Sequence, residues 1–462
     1  MARRSREVTD GASGAADAAP DPAADASRAQ RLFGLVELRR GEAAPVALAA
    51  AYGFCLMASY NVVKPYREAL GTSASKLSSL WVWTFVICGV LLLPYWSLVG
   101  SFPRQRFIPW VHRFFEACFV ALFFVLRVET GPLFTFASTA FYGGLSAFNL
   151  LVISQFWGFM ADVFTRDQGK RLFAWIAAGG TAGALLASLA TQYSQDHRWI
   201  EPAELIWPTI VLLELASLCA LRLARHAPPA TWSPPEGARK RIAAAFDGLV
   251  LFGRSPYLLA IAAYMFVSLY TSAFVYDFQR LLVKAQIVDR AAQTEYYANV
   301  NVWTQLVALA GQLVVSARLL ATLGLGWTLA LLPLAGVAGL ATFARDVSLD
   351  AIKWVQIGFK GVDYAIAKPA REALFTVVSR AEKYQSKSLI DAGLYRFFDW
   401  IDSLVVDALH STAMASVAWI TCVASAAGLP ISALLARLHA TRRAPAAATA
   451  PPVEEVDAIA EA

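Results

Sequence analysis

Arg225-His226-Ala227-Pro228-Pro229-Ala230-Thr231-Trp232-Ser233-Pro234-Pro235-Glu236-Gly237-Ala238-Arg239-Lys240-Arg241 interrupts an otherwise apolar chain near its middle. Proline fixes φ and withholds a backbone donor, so Pro228, Pro229, Pro234 and Pro235 rule out a helix here, and no apolar period suggests a strand. The stretch reads as a basic, Pro-rich linker, and what flanks it decides the fold. A helix needs about 20 apolar residues to cross a bilayer. Working outward and upstream, such runs lie at about 205–223, 172–193, 133–163, 107–126, 77–101 and 44–63; downstream they lie at about 257–280, 299–322, 325–344, 349–378, 389–410 and 413–437. Six spans on each side predict an all-α membrane protein of twelve transmembrane helices in two pseudo-symmetric six-helix bundles. The expected division is a disordered cytoplasmic tail at 1–42, a bundle at 43–224, the linker at 225–255, a second bundle at 256–438 and a disordered tail at 439–462.

The whole-chain composition agrees. Of 462 residues, 57% are apolar and 16% charged, against roughly 45–50% and 25% in a soluble domain. The surplus of six positive charges is then a matter of loops on one side of a bilayer, and a nucleic-acid partner is not expected. Arg104, Arg106, Arg166, Lys170, Arg171, the linker, Arg318, Arg380, Lys383, Lys387, Arg442 and Arg443 fall on one side, while the loops around Arg127, Arg198 and Arg345 are poorer in cations. The positive-inside rule predicts cytoplasmic termini, in a bacterial inner membrane.

Enzyme chemistry finds little support. Cys55, Cys88, Cys118, Cys219 and Cys422 each lie in an apolar run with no CxxC spacing, and read as small buried hydrophobes. There is no HExxH, and Gly179-Gly180-Thr181-Ala182-Gly183 has no lysine behind it to make a phosphate-binding loop. Gly179 and Gly183 form GxxxG, a close helix contact. No metal and no cofactor is expected.

The two halves echo each other. Tyr52-Gly53-Phe54 returns as Tyr264-Met265-Phe266, and in that register Val63 meets Val275, Tyr66 meets Phe278 and Leu70 meets Leu282. Farther on, Thr165-Arg166 matches Ser379-Arg380 and Gly179 matches Gly393. Parallel duplication of a six-helix unit gives this pattern. A sharper echo joins span 1 to span 10: Lys64-Pro65-Tyr66-Arg67-Glu68-Ala69-Leu70 against Lys368-Pro369-Ala370-Arg371-Glu372-Ala373-Leu374.

Those motifs carry the functional reading. A Lys or Arg at the centre of a span costs roughly 2.5–3.5 kcal/mol on insertion scales, so such cations need a water-filled cavity, a partner charge or an anionic ligand. Lys64 and Arg67 share a helix face, as do Lys368 and Arg371, and Glu68 and Glu372, four after the lysines, can neutralise one cation each. Pro65 frees the carbonyl of Asn61 and Pro369 that of Ala365, so each motif is expected to begin a new half-helix whose N–H groups favour an anion. A second tier of intramembrane polar residues comprises Asn149 and Gln155 in span 4, Tyr276 and Asp277 in span 7, Lys360 and Asp363 in span 10, and the column Arg396, Asp399 and Asp402 in span 11. That column reads either as a salt-bridged lock between helices or as a proton-coupling site.

Asn61-Val62-Val63-Lys64-Pro65-Tyr66-Arg67-Glu68-Ala69-Leu70, with Lys368-Pro369-Ala370-Arg371-Glu372-Ala373-Leu374-Phe375 and Glu382-Lys383-Tyr384-Gln385-Ser386-Lys387-Ser388-Leu389-Ile390-Asp391, resembles the ATP/ADP antiporters of the Tlc type. The resemblance implies a twelve-helix, major-facilitator-like carrier exchanging nucleotides, with basic residues of spans 1 and 10 binding the phosphates; carried over residue by residue, it nominates Lys64, Arg67, Glu68, Arg371 and Glu372. Separately, a cavity aromatic such as Tyr60, Tyr66 or Tyr364 is a candidate to stack on a base. The expected function is secondary transport of an anionic substrate, a nucleotide or another phosphorylated or carboxylated small molecule. The alternative is a proton-coupled carrier of a small organic anion.

Overall fold

The structure, a computed structural model, describes residues 39, 41–73, 77–101, 104–128, 130–226, 255–314, 322–375, 377–378, 395–409 and 411–448. The body of the expected linker and most of both expected tails lie outside them. Every regular element among the described residues is helical: α1 (Ala43–Thr72), α2 (Leu77–Ser101), α3 (Arg104–Leu126), α4 (Gly131–Val163), α5 (Arg166–Asp196), α6 (Ile206–Leu223), α7 (Pro256–Gln286), α8 (Arg290–Val314), α9 (Gly324–Arg345), α10 (349–374), α11 (Tyr395–Ala408) and α12, built from Met414–Ala426 and Gly428–Ala448.

Eight of these are long and apolar enough to cross a membrane unaided: α1, α3, α4, α5, α6, α7, α9 and α12. The other four, α2, α8, α10 and α11, pack against them. The shortfall in α8 and α10 has a cause, because Asn301, Lys360 and Lys368 are spent on the inside of the molecule. Hydropathy is lost where polar side chains face a cavity.

An apolar core runs through α1–α6, from Val46 to Leu223. Its centre is aromatic: Phe115 and Phe119 of α3 meet Phe148 of α4 at ring separations of 5.2 and 5.6 Å, in the tilted geometry that aromatic quadrupoles favour. Along α1 the packing is closest against α5. A methyl on Gly179 would come within 2.6 Å of the Ala50 carbonyl, and one on Gly183 would overlap that of Phe54, so the GxxxG pair is the close contact its spacing predicts. In the second half α9 packs on α10 and α12, and α7 on α10, α11 and α12. Between the halves α8 lies against α1 and α5, and α2 against α11. Tyr52 and Tyr264, equivalent in the repeat, are both fully buried.

One local expectation is corrected. The KPxRE motif of α1 begins no half-helix, and that of α10 opens a short α-helical stretch only as the continuation of a π turn. Pro65 lies inside the unbroken α1, since a helix packed along its length tolerates the loss of one hydrogen bond that a proline imposes. In α10 the disturbance is absorbed as a π turn, Asp363–Ala367, after which the Lys368 N–H donates to the Asp363 carbonyl, five residues back, and the helix resumes over Lys368–Leu374. The last helix continues to Ala448. At the front, Glu42 is buried and accepts from Gln168 Nε2 at 3.1 Å and Arg171 at 3.0 Å.

The connections after α1, α3, α5, α7, α9 and α11 share one end of the bundle, here the loop end; the start of α1 and the end of α12 lie at the opposite end. Polar contacts between the halves gather at the loop end. Arg198 pairs with Asp289 at 2.6 Å, Arg290 donates to the Ala69 carbonyl at 2.8 Å and to Ser73 Oγ at 3.0 Å, and Thr72 meets the Tyr297 hydroxyl at 3.0 Å. Asp407 of α11 accepts from the Leu77 and Ser78 N–H groups at the start of α2, at 3.2 and 3.3 Å.

Candidate functional site

Between the halves, at mid-depth, lies a cavity of about 540 Å³, within the range of small-molecule sites. It is lined by α1 from Gly53 to Glu68 and by parts of α2, α4, α5, α7, α8, α10 and α11. Four cations line it, Lys64, Arg67, Lys360 and Lys368, with two carboxylates, Glu68 and Asp399. The wall therefore carries a surplus of two positive charges when all are ionised.

Each α1 residue of the motif is held differently. Lys64 donates through Nζ to Asn301 Oδ1 of α8 at 2.8 Å. Asn301 in turn donates to Asn61 Oδ1 at 2.9 Å and to Ser188 Oγ, so one amide ties α8 to α1 and α5. Arg67, with 13% of its side chain exposed, lies 3.8 Å from the centroid of the Tyr142 ring. Its Nε donates to the Tyr142 carbonyl at 3.1 Å, and its terminal nitrogens donate to Glu68 at 2.7 Å and Ser146 Oγ at 2.8 Å. Glu68 does not turn to Lys64 but also accepts from the Tyr276 hydroxyl at 2.7 Å. Tyr276 takes a further hydrogen bond from Tyr142 at 3.0 Å. The chain Arg67–Glu68–Tyr276–Tyr142 crosses from one half to the other and forms the floor of the cavity toward the loop end.

The span-10 motif divides. Lys368 lines the cavity, its ammonium 6.0 Å from the Tyr364 ring centroid. Arg371 is not on the wall; it pairs with Asp363 at 3.1 Å across the π turn, which carries its charge two turns back along its own helix. Glu372 is exposed. Lys64, Arg67, Glu68 and Lys368 are thus brought together, whereas Arg371 and Glu372 stand apart.

In the second tier, Asn149, Tyr276, Lys360 and Asp399 line the cavity. Asp277 does not: it is buried and paired with Arg280 at 2.7 Å within α7. Gln155 is buried in the first half with neither amide atom hydrogen-bonded. Asp402 is also buried, with no hydrogen-bond partner for either oxygen among the described residues. The side chain of Arg396 lies outside the described residues. Of the aromatics nominated for stacking, Tyr60 and Tyr364 line the cavity, while Tyr66 is core, 1% exposed and set against Phe141. Sequence reasoning missed Asn301, Ser146, Tyr142 and Ser188. Asn301 had a signal, an amide within an apolar span that needs a partner in hydrocarbon.

No protein-family model and no curated protein matches the chain. Solved structures do. A POT family transporter in complex with 5-aminolevulinic acid superposes with a TM-score of 0.62 at 10% identity, covering 85% of this chain and 96% of that one. A POT family transporter with a thioalcohol-conjugated peptide gives 0.61 at 10% identity, over 86% and 96%. A bacterial homologue of the human lysosomal transporter Spinster, in an inward-facing and unoccupied conformation, gives 0.51 at 13% identity, over 88% and 98%. At such identities the likeness concerns the fold. The chain has the major facilitator fold and is a multi-pass membrane protein; none of these structures is an ATP/ADP antiporter.

Proposed function

We propose that the chain is a secondary carrier that moves a small organic anion through the central cavity by alternating access of its two halves. The observation that carries this reading is the convergence of Lys64, Arg67, Lys360 and Lys368 on one cavity whose described lining holds two carboxylates. Placing these cations at mid-membrane opposes insertion by roughly 2.5–3.5 kcal/mol each, and a substrate bearing carboxylate or phosphate oxygens offsets that cost when it binds. Arg67, stacked and fixed by three hydrogen bonds, suits two-point contact with such a group, and Lys64 and Lys368 act as point charges. Tyr60 and Tyr364 offer faces for a planar substrate, which keeps nucleotides such as ATP and ADP within the class. The known complex of a like-folded transporter with an acid, 5-aminolevulinic acid, supports the same reading.

The loop end is joined by Arg198–Asp289, Arg290 and Asp407, and cations crowd the loops of the other end. By the positive-inside rule that end is cytoplasmic, so the conformation described is inward-facing, in a bacterial inner membrane. Thermal unfolding of the solubilised protein with ATP, ADP, 5-aminolevulinate, inorganic phosphate and adenosine tests the class. A ligand at 100 times its Kd stabilises by about 2.7 kcal/mol. Stabilisation by an anion, absent with adenosine and lost in Arg67→Gln, is the expected result. Stabilisation by adenosine equal to that by ADP, with none from the other anions, contradicts an anion site.

A further inference from the structure

Asp402 stands in the middle of α11, one turn after Asp399. It is 0% exposed, and neither carboxylate oxygen has a hydrogen-bond partner. An ionised carboxylate so placed, isolated in a low-dielectric interior, is too costly to persist, and such a group neutralises instead. Among the described residues its surroundings supply no cation to prevent this. Helix α2, packed on α11 from the other half, contains no Lys, Arg, His, Asp or Glu. On α7, the other helix packed on α11, the group acting electrostatically on Asp402 is the phenol of Tyr270. The α7 charges lie farther on: Asp277 is about 10 Å along the axis from Tyr270 and paired with Arg280, and Lys284 follows two turns later. On α11 itself Asp399 is a like charge. The side chain of Arg396 lies outside the described residues.

Asp399 lines the cavity, so Asp402 lies one helical turn behind a carboxylate that touches cavity water. Farther along the same helix Asp407 holds the start of α2 at the loop end. One short helix therefore joins the cavity, a buried acid and the closure between the halves.

We propose that Asp402 is a proton-binding site, loaded in the conformation described here, that exchanges its proton with the cavity by way of Asp399. The inference rests on the carrier reading above. Closed against α2, α11 keeps Asp402 dry and protonated. When the halves part at the loop end, the seam between α2 and α11 opens, water reaches the carboxyl, and one proton leaves to that side as the carboxylate forms. Reclosure binds one proton again, so opening at the loop end is linked to the release of one proton from Asp402.

The test reads the acid directly, without a transported substrate. Infrared spectra of the full chain in lipid nanodiscs at neutral pH are expected to show the carbonyl stretch of a protonated carboxyl that Asp402→Asn removes and Asp399→Asn retains. Glu116, buried beside Glu214, is the other candidate source of such a band, and Glu116→Gln separates the two. Asp402→Leu serves where Asp402→Asn fails to fold, since an apolar residue replaces a neutral acid without leaving an orphaned charge. A carboxyl band unchanged by either Asp402 substitution overturns the proposal, whether the oxygens are ionised or held by a metal cation. That result leaves the anion site standing. Loss of anion-induced stabilisation in the unfolding assay, with the infrared band intact, removes the carrier reading instead.

Discussion

Replacing Arg67 by Met tests whether the cavity floor is built as an ion pair. Arg67 gives hydrogen bonds to Tyr142, Glu68 and Ser146. Without it Glu68, 9% exposed, keeps the Tyr276 hydroxyl as its donor. Breaking one partner of a buried pair costs about 3–5 kcal/mol, chiefly because a charge is left uncompensated, whereas replacing both partners with apolar groups of similar volume is often neutral. Cavity water reaches both side chains, which are 13% and 11% exposed, so the lower end, about 3 kcal/mol, applies to Arg67→Met. Glu68→Leu alone strands the guanidinium by a similar route, softened by Tyr142 and Ser146. The double variant Arg67→Met/Glu68→Leu is expected to lose about 1 kcal/mol, less than either single change. Reversible unfolding of all four proteins in mixed micelles closes the double-mutant cycle, with a coupling energy of about 4 kcal/mol expected. Additivity within about 0.5 kcal/mol, the scatter of independent sites, refutes the reasoning.

Two further predictions concern the frame around the site. Gly183→Ala drives a methyl into the Phe54 carbonyl and is expected to cost about 1–3 kcal/mol of stability or more, as overpacking does. Gly144→Ala, in α4 with open space around it, is expected to be neutral or to stabilise by up to about 1 kcal/mol; equal thermal shifts for the two contradict the α1–α5 seam. At the loop end burial would raise the carboxyl of Asp289, but hydrogen bonds from Arg198 and the Ala292 N–H hold it below the usual carboxylate range. A lowered value stabilises the closed form above that range, and the contribution is lost as pH falls through it, below about 4. Spin labels at Val128 and Val347 are expected to report a wider loop end in acid. Arg198→Ala should widen it already at neutral pH by at most about fivefold in population, since an exposed pair is worth about 0.2–1 kcal/mol. No pH response in the native protein removes the gate.

How much of this was legible beforehand follows from what membranes penalise. Long apolar runs must be helices, so the segment order could be read from hydropathy and from the prolines at 228–235. KPxRE could be noticed because cations inside apolar runs are costly. What could not be read is direction around a helix axis. Lys64 and Lys368 point to the cavity while Arg371 turns to Asp363, because a π turn adds a residue between them, and no spacing rule anticipates that extra residue. Glu68 sits four after Lys64, the favourable spacing for a pair, yet it binds Arg67 and Tyr276. Residues from a distant helix decided the matter, and Asn301 and Tyr276 enter the site only once the two halves are folded against each other.

The central claim is that the cavity carries an anion across the membrane by means of its cations. Exchange of radiolabelled ATP, and separately of 5-aminolevulinate, into proteoliposomes preloaded with the same unlabelled compound tests it most directly. The account predicts saturable exchange of at least one of them in the native protein, a loss of tenfold or more in Arg67→Gln and Lys368→Gln, and little change in the off-site variant Arg113→Gln, whose partner Glu214 lies at the exposed face of α6. Exchange that survives neutralisation of both Arg67 and Lys368 would contradict it.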